Sequence, residues 1–218
     1  MTVFLVSLIE SYTIGIAAVI GIIRFKVIDP VYRPFVYICW LAIINEFVSS
    51  ITAKLFRNSA VNLNIYVLLE CWLFLLQFYR WRQVQKNAFR FLFGSLFCIW
   101  VLDNFILNSF LTINSLFRVV YSFVLVFLSI NFINKMLLER RGRLIGDARF
   151  LICAGIVIFY SYKAFFETIY LFRFNFSDNF YIQIHFILEL INLLVNLLFA
   201  VAMMRISNKQ NFELPLFN

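Results

Sequence analysis

Ionisable side chains recur inside long apolar stretches of this 218-residue chain. Six of the stretches carry one acid each, and these acids are Glu10, Glu46, Glu70, Asp103, Glu167 and Glu189. The cations within apolar stretches are Arg118 and Lys163, and the single histidine is His185. A charged group in an apolar environment needs a partner, water or a bound proton, because its burial alone costs several kcal/mol. Such residues could bind a cation, hold a polar solute or exchange protons.

Helical spacing places some of these residues on common faces. Lys163 and Glu167 are four positions apart, so both side chains lie on one face of a helix. We therefore expect Lys163 to be the partner of Glu167. A second polar face runs along the last apolar stretch and comprises His185, Glu189, Asn192 and Asn196.

The balance of charge predicts a binding site shared by several helices. Six acids against two cations leave a negative surplus that ion pairs do not neutralise, so some carboxyl groups hold a proton or a cation lies among them. The predicted binding residues are Glu46, Glu70, Asp103, Lys163, Glu167, His185, Glu189 and Asn192, with Glu10, Arg118 and Asn196 as a secondary set. The alternative is that the same groups only join helices through hydrogen bonds.

The composition of the chain indicates the environment of these residues. Hydrophobic residues make up 63% of the chain and charged residues only 14%. Soluble domains are about 45–50% apolar and about a quarter charged, so a soluble fold of this size could not bury so much apolar surface. The composition therefore excludes a soluble domain, a disordered chain and a disulfide-rich secreted module. It indicates a multi-pass membrane protein.

Seven stretches are each close to the length of about 20 apolar residues with which a helix crosses a bilayer. They are residues 3–23, 34–54, 61–79, 91–111, 115–134, 150–172 and 180–204. Backbone amides in lipid must be satisfied within the segment, so each stretch is predicted to be a helix. We therefore predict an all-α protein with one transmembrane domain, residues 1–218, built as a bundle of seven spanning helices.

Basic residues indicate the orientation of this bundle. Fourteen lysines and arginines lie in the loops after spans 1, 3 and 5 and in the C-terminal tail, whereas four lie on the opposite side. Cytoplasmic loops carry the excess of basic residues, which predicts an external N-terminus and a cytoplasmic C-terminus in the inner (cytoplasmic) membrane. The longest loop contains Arg140, Arg141 and Arg143 and could contact anionic lipid or an acidic partner.

The residue types give little indication of a catalytic site. One histidine excludes a zinc site built from several histidines, although a hard-cation site of carboxylates and His185 stays open, so the presence of a metal is undecided. Neither a Gly-x-Ser-x-Gly turn nor a glycine-rich phosphate loop is present. The cysteines lie in apolar stretches without metal or disulfide spacing, and are Cys39, Cys71, Cys98 and Cys153. No cofactor is expected, and a binding protein is favoured over an enzyme.

Two segments of the chain share a pattern. Leu55-Phe56-Arg57 precedes Leu69-Glu70, and Leu171-Phe172-Arg173 precedes Leu188-Glu189, each between an even-numbered span and the next. The pattern predicts parallel repeats of three spans joined by the fourth, and transporters with such repeats place substrate between the halves. This arrangement resembles the seven-span SWEET sugar transporters in topology and length. SWEET proteins carry prolines in four spans, whereas Pro30, Pro34 and Pro215 lie in loops or at a helix start, so no residue or substrate is carried over.

A second resemblance covers about a quarter of the chain. The segment from Ile22-Ile23-Arg24 through Asn45-Glu46-Phe47 to Leu69-Glu70 resembles small, uncharacterised bacterial multi-pass membrane proteins. This resemblance implies a membrane-embedded helical fold and brings no function with it.

The sequence therefore favours one function and leaves three alternatives. The favoured function is binding and passage of a small solute or cation through a carboxylate-lined cavity in the outer half of the bundle, coupled to protons. The alternatives are a sensor that signals through its basic loops, a lipid-modifying enzyme and a scaffold subunit of a membrane complex. The expected partners are the bilayer, the solute or cation, and a second copy or another membrane protein. Nucleic acid is not an expected partner.

Overall fold

The computed structural model describes residues 12–139, 144–172, 174 and 176–207. Within these ranges the chain forms seven α-helices and no strand. They are α1 (Ile14–Arg24), α2 (Arg33–Phe56), α3 (Ala60–Arg80), α4 (Lys86–Val101), α5 (Leu116–Glu139), α6 (Ala148–Leu171) and α7 (Asp178–Arg205). A π-helical segment, Leu102–Leu107, continues α4, and short 3₁₀ helices lie at Pro30–Tyr32 and Leu144–Gly146.

The helices are those of a multi-pass membrane protein. Six of them, α2 to α7, are long and apolar enough to cross a bilayer. Large apolar side chains also cover the outside of the bundle, as contact with lipid requires, and Leu138 is 89% exposed. The described part of the first predicted span is the 11-residue helix α1, while Glu10 lies outside the described residues.

Most helix bounds lie within a few residues of the predicted spans. Among the spans that the structure describes in full, the fourth differs most, because the apolar stretch 91–111 corresponds to a helix that begins at Lys86 and ends at Leu107. The polar residues after Leu107 end the helix early. They form the connection 108–115, in which Asn114 donates to the carbonyl oxygen of Ser109 and Thr112 donates to the same oxygen.

Six of the seven helices form a closed ring. Going around it, each helix contacts the next in the order α1, α2, α3, α5, α6, α7, and α7 contacts α1. Helix α4 packs outside the ring against α3 and α5. The ring therefore has a central axis that α4 does not reach.

The two ends of the ring differ in their side chains. The connections 57–59 and 108–115 and the described residues between α6 and α7 form the polar-loop end, where Asn58 donates to the carbonyl oxygen of Leu111. The opposite end, formed by residues 25–32, 81–85, 144–147 and the end of α7, is the basic end. There the Arg24 guanidinium donates to the carbonyl oxygens of Met203 and Ile206 at 2.6 and 2.8 Å. Because the last carbonyls of a helix lack intrahelical partners and carry partial negative charge, this contact caps the C-terminal end of α7.

A glycine sets the distance between α6 and α7. A methyl group added to Gly155 would lie 2.5 Å from the Cε1 atom of Phe199, well inside van der Waals contact. The Phe199 ring cannot retreat easily, because its other side packs edge-on against Phe35 with ring centroids 5.2 Å apart. The contact between the two helices therefore requires the absence of a side chain at Gly155.

We predict that Gly155→Ala destabilises the protein by about 1–3 kcal/mol, the usual cost of overpacking a filled core. The measurement is the free energy of unfolding in mixed detergent micelles. Gly94→Ala is the matched control, because no atom lies within 4 Å of a methyl group added there. Equal losses in the two variants would contradict this account of the α6–α7 contact.

Candidate functional site

A cavity lies on the axis of the ring. Its volume is about 180 Å³, and it is lined by side chains from all six ring helices and from none of α4. This central cavity is polar and large enough to hold water. Its polar lining consists of Asn45, Glu46, Tyr66, Glu70, Arg118, Tyr160, Lys163, Asn192 and Asn196.

A hydrogen-bonded cluster built around Glu70 forms one wall of the central cavity. Glu70 lies at the middle of α3, and its Oε1 atom accepts from the Tyr66 hydroxyl at 2.5 Å. Its Oε2 atom accepts from the Tyr121 hydroxyl at 2.8 Å and lies 3.7 Å from the Nζ atom of Lys163. Lys163 in turn donates to the Tyr121 hydroxyl at 2.6 Å. These four residues, the Glu70 cluster, connect α3, α5 and α6.

Aromatic rings surround the ammonium group of this cluster. The Nζ atom of Lys163 lies 5.2 Å from the ring centroid of Tyr121, 5.4 Å from that of Phe159 and 5.3 Å from that of Tyr160. Ring faces attract a cation, and the attraction is stronger where water is excluded. Lys163 is thus stabilised by one carboxylate, one hydroxyl and three rings.

The partner of Lys163 differs from the one that its spacing predicts. Glu167 does not pair with Lys163 but with Arg118 of α5, with 3.3 Å between Oε1 and Nη1. The other carboxylate oxygen of Glu167 accepts from the Ser115 hydroxyl at 2.6 Å. Because α5 packs closely along α6, Arg118 reaches Glu167 one turn nearer the polar-loop end, and Lys163 lies beside Glu70 instead.

Arg118 also lies beside a second cavity. This loop-end cavity has a volume of about 530 Å³ and is lined by Asn108, Ile113, Asn114, Ser115, Arg118, Phe166, Glu167, Tyr170, Leu171 and His185. Arg118 is the residue that the linings of the loop-end and central cavities share. The Arg118–Glu167 pair therefore stands at the boundary between them.

The remaining predicted site residues are divided between the cavities and other places. Glu46 and Asn192 line the central cavity, and so does Asn196, which donates to the Thr13 hydroxyl at 3.0 Å. His185 lines the loop-end cavity with 59% of its side chain exposed. Its neighbour Glu189, 3.5 Å away, is outside the described linings of both cavities.

Asp103 is fully buried, yet its contacts are those of a helix cap. Its Oδ2 atom accepts from the backbone N–H of Phe117 at 2.8 Å, and its Oδ1 atom accepts from the Asn108 side chain at 2.8 Å. The first N–H groups of a helix have no partner within it, so a carboxylate there stabilises the start of α5. Asp103 thus caps the start of α5 next to Arg118, which follows Phe117 directly, without lining either cavity.

The site residues that the sequence interpretation missed include Tyr66, Tyr121 and Ser115. Tyr66 lies four positions before Glu70, and this spacing could have revealed it. Tyr121 and Ser115 gave no such signal, because their partners Glu70 and Glu167 belong to other helices. Contacts of that kind depend on which helices are neighbours, and a single sequence does not state this.

The described residues neutralise much of the charge that the sequence leaves unbalanced. Lys163 and Arg118 neutralise Glu70 and Glu167, and Asp103 accepts two N–H bonds. Among the described residues no three His, Cys, Asp or Glu side chains lie close enough together to hold a metal ion. The geometry is thus that of a polar cavity with paired charges.

Comparison of the chain with protein families, curated proteins and solved structures finds no match. No residue role is therefore inherited from a relative.

We predict that the Glu70 cluster behaves as one energetic unit. Lys163→Met should destabilise the protein by about 3–5 kcal/mol, because it leaves a carboxylate buried without its cation. Adding Glu70→Gln should recover part of this loss. A double-mutant cycle built from free energies of unfolding in detergent should give a coupling energy of about 0.5–3 kcal/mol between the two residues.

The control cycle uses His185→Gln and Glu189→Gln, which interrupt a pair of similar separation whose histidine is mostly exposed. Its coupling energy should stay below about 1 kcal/mol. A coupling at Glu70 and Lys163 no larger than this would show that the cluster is not a unit.

Proposed function

We propose that this protein binds a small polar solute in its central cavity and passes it across the membrane, with proton exchange at Glu70. The observation that carries the proposal is the position of the Glu70 cluster. One carboxylate at the middle of a spanning helix is shared by two hydroxyls and a lysine beside a polar cavity on the ring axis. Ionisable groups at such a depth mark substrate or proton pathways in membrane proteins.

Proton uptake by Glu70 would rearrange the cluster. As a carboxylate, Glu70 accepts from Tyr66 and Tyr121 and balances the charge of Lys163. Protonation removes the negative charge of Glu70, which balances Lys163, and one of its acceptor sites. The Lys163 ammonium is then stabilised by turning toward a solute or another acid in the cavity. Solute binding and proton binding would then favour different arrangements of the same side chains, which is the requirement for coupling.

The two cavities supply a route. A solute in the loop-end cavity is separated from the central cavity by the Arg118–Glu167 pair, which is long at 3.3 Å and therefore weak for a charged hydrogen bond. Opening of this pair would join the cavities. The basic end is closed by contacts of a different kind, in which Gln77 bonds to the backbone of Val31 and Phe35 at 2.9 Å each.

The finer topology belongs to the same proposal. With seven spans and an external N-terminus, the polar-loop end and its cavity face outward and the basic end faces the cytoplasm. The order of helices around the ring supports two parallel repeats, α1–α3 and α5–α7, since a two-fold axis through the ring would exchange them and leave α4 outside as the connection.

We predict that proteoliposomes containing this protein move protons when a solute gradient is imposed. The assay follows the internal pH with a trapped fluorescent dye while membrane-impermeant amino acids, hydroxy acids and sugars are added outside. Glu70→Gln should reduce the solute-dependent signal to that of protein-free vesicles, because an amide cannot take up the proton.

Glu189→Gln is the matched control, since it removes a carboxylate from the spanning region without changing the described lining of either cavity. It should keep the signal. Equal loss in both variants, or full signal in Glu70→Gln, would contradict the role of the cluster. A wild-type protein that gives no signal with any of these solutes would contradict translocation itself.

A further inference from the structure

We infer that Arg118 is the binding group for the carboxylate of a small organic acid whose apolar part occupies the loop-end cavity. The inference rests on the proposed function, because it names the class of solute that this site takes. It is carried by the hydrogen-bonding state of the Arg118 guanidinium and by the lining of the cavity beside it.

Arg118 is buried with most of its donors unused. The residue is 8% exposed, and its one hydrogen bond among the described residues joins Nη1 to Glu167. The Nε and Nη2 atoms are enclosed by protein and have no hydrogen-bond partner there. Burying charged donors without partners is costly, so the guanidinium has a strong tendency to gain an acceptor.

The two unused nitrogens select a chemical class. Nε and Nη2 lie on the same edge of the planar guanidinium, and their N–H groups point in parallel. A carboxylate accepts both through its two oxygens, whereas an amine has no acceptor for them and a sugar hydroxyl offers one oxygen at a time. The Glu167 carboxylate lies 3.3 Å from Nη1, and its negative charge repels a divalent phosphate more strongly than a monoanion, which favours a singly charged acid.

The loop-end cavity accounts for the rest of the solute. Its volume of about 530 Å³ lies within the usual range of ligand sites, about 300–1,000 Å³. Apolar side chains contribute much of the lining, among them Ile113, Phe166 and Leu171. A small hydrocarbon or aromatic body fits this lining while the carboxylate points at Arg118.

Binding proceeds by exchange of carboxylates. Because Nε and Nη2 are enclosed, the solute reaches them as Glu167 releases Nη1 and the guanidinium turns toward the cavity. The released Glu167 keeps its hydrogen bond from Ser115. The exchange replaces one long ion pair by two parallel bonds and leaves Glu167 without a cation, so that it can take up a proton.

The test measures binding to the full chain in lipid nanodiscs by isothermal titration calorimetry. The probes are benzoate, its neutral analogue benzamide, its cationic analogue benzylamine, and inorganic phosphate. Benzoate should bind at least about tenfold more tightly than each of the others, since it alone combines one negative charge, two parallel acceptors and an apolar body. Tighter binding of benzylamine, benzamide or phosphate, or no binding of benzoate, would overturn the assignment.

Three variants separate a binding role from a structural one. Arg118→Lys keeps the charge but not the paired donors, and should weaken benzoate about tenfold or more. Glu167→Gln removes the competing carboxylate and should tighten benzoate. If the Arg118–Glu167 pair had only a structural role, both substitutions would weaken benzoate binding. Arg57→Lys, at an exposed arginine of the same end, should leave the affinity unchanged. If Arg118→Lys fails to fold, the tightening in Glu167→Gln decides the matter alone.

The outcome is distinct from that of the proposed function. Benzoate binding depends on Arg118, whereas solute-driven proton movement depends on Glu70. Selective benzoate binding without proton movement would retain the acid-binding site and contradict passage. Proton movement driven only by sugars or cations would retain passage and overturn the carboxylate class.

Discussion

A charged side chain inside hydrocarbon must be neutralised by the protein, and two ion pairs satisfy this requirement at the centre of the ring. Glu70 with Lys163 joins α3 to α6, and Glu167 with Arg118 joins α6 to α5. Breaking one partner of such a pair costs more than the pair contributes, because the remaining charge is left buried. In this structure the two pairs fix the relative positions of these three helices, and hence the shape of the central cavity.

The other buried polar groups are divided by task. Asp103, Arg24 and Gln77 bond to backbone groups at helix ends, where the intrahelical ladder leaves them without partners. Asn45, Asn192 and Asn196 instead face the central cavity. The ends of the ring are thus held by side chain to backbone contacts, and its centre is left to ionisable and amide side chains that can exchange partners. This division is why the axis of the bundle can be polar without weakening its helices.

Continuous apolar runs identified the spanning helices, because hydrocarbon thickness imposes both their length and their composition. The same reasoning placed ionisable side chains within the spans. It could not assign partners, and the pairing of Lys163 shows why. Spacing along one helix favoured Glu167, but Arg118 from α5 takes that acid and Glu70 from α3 takes the lysine. Packing, such as that between Gly155 and Phe199, decides which helices are neighbours. The spacing of charged residues along the chain does not predict it.

The proposed function requires water in the cavity on the ring axis, and hydroxyl-radical footprinting of tyrosines in nanodiscs detects such water. Tyr160 lines the cavity although only 2% of its surface is exposed, whereas Tyr32 is 8% exposed and is not part of the described lining. A hydrated cavity predicts faster oxidation of Tyr160 than of Tyr32, since radicals form from the water beside it. Protection of Tyr160 equal to or greater than that of Tyr32 would mean that the axis is dry and the charges serve only to join helices.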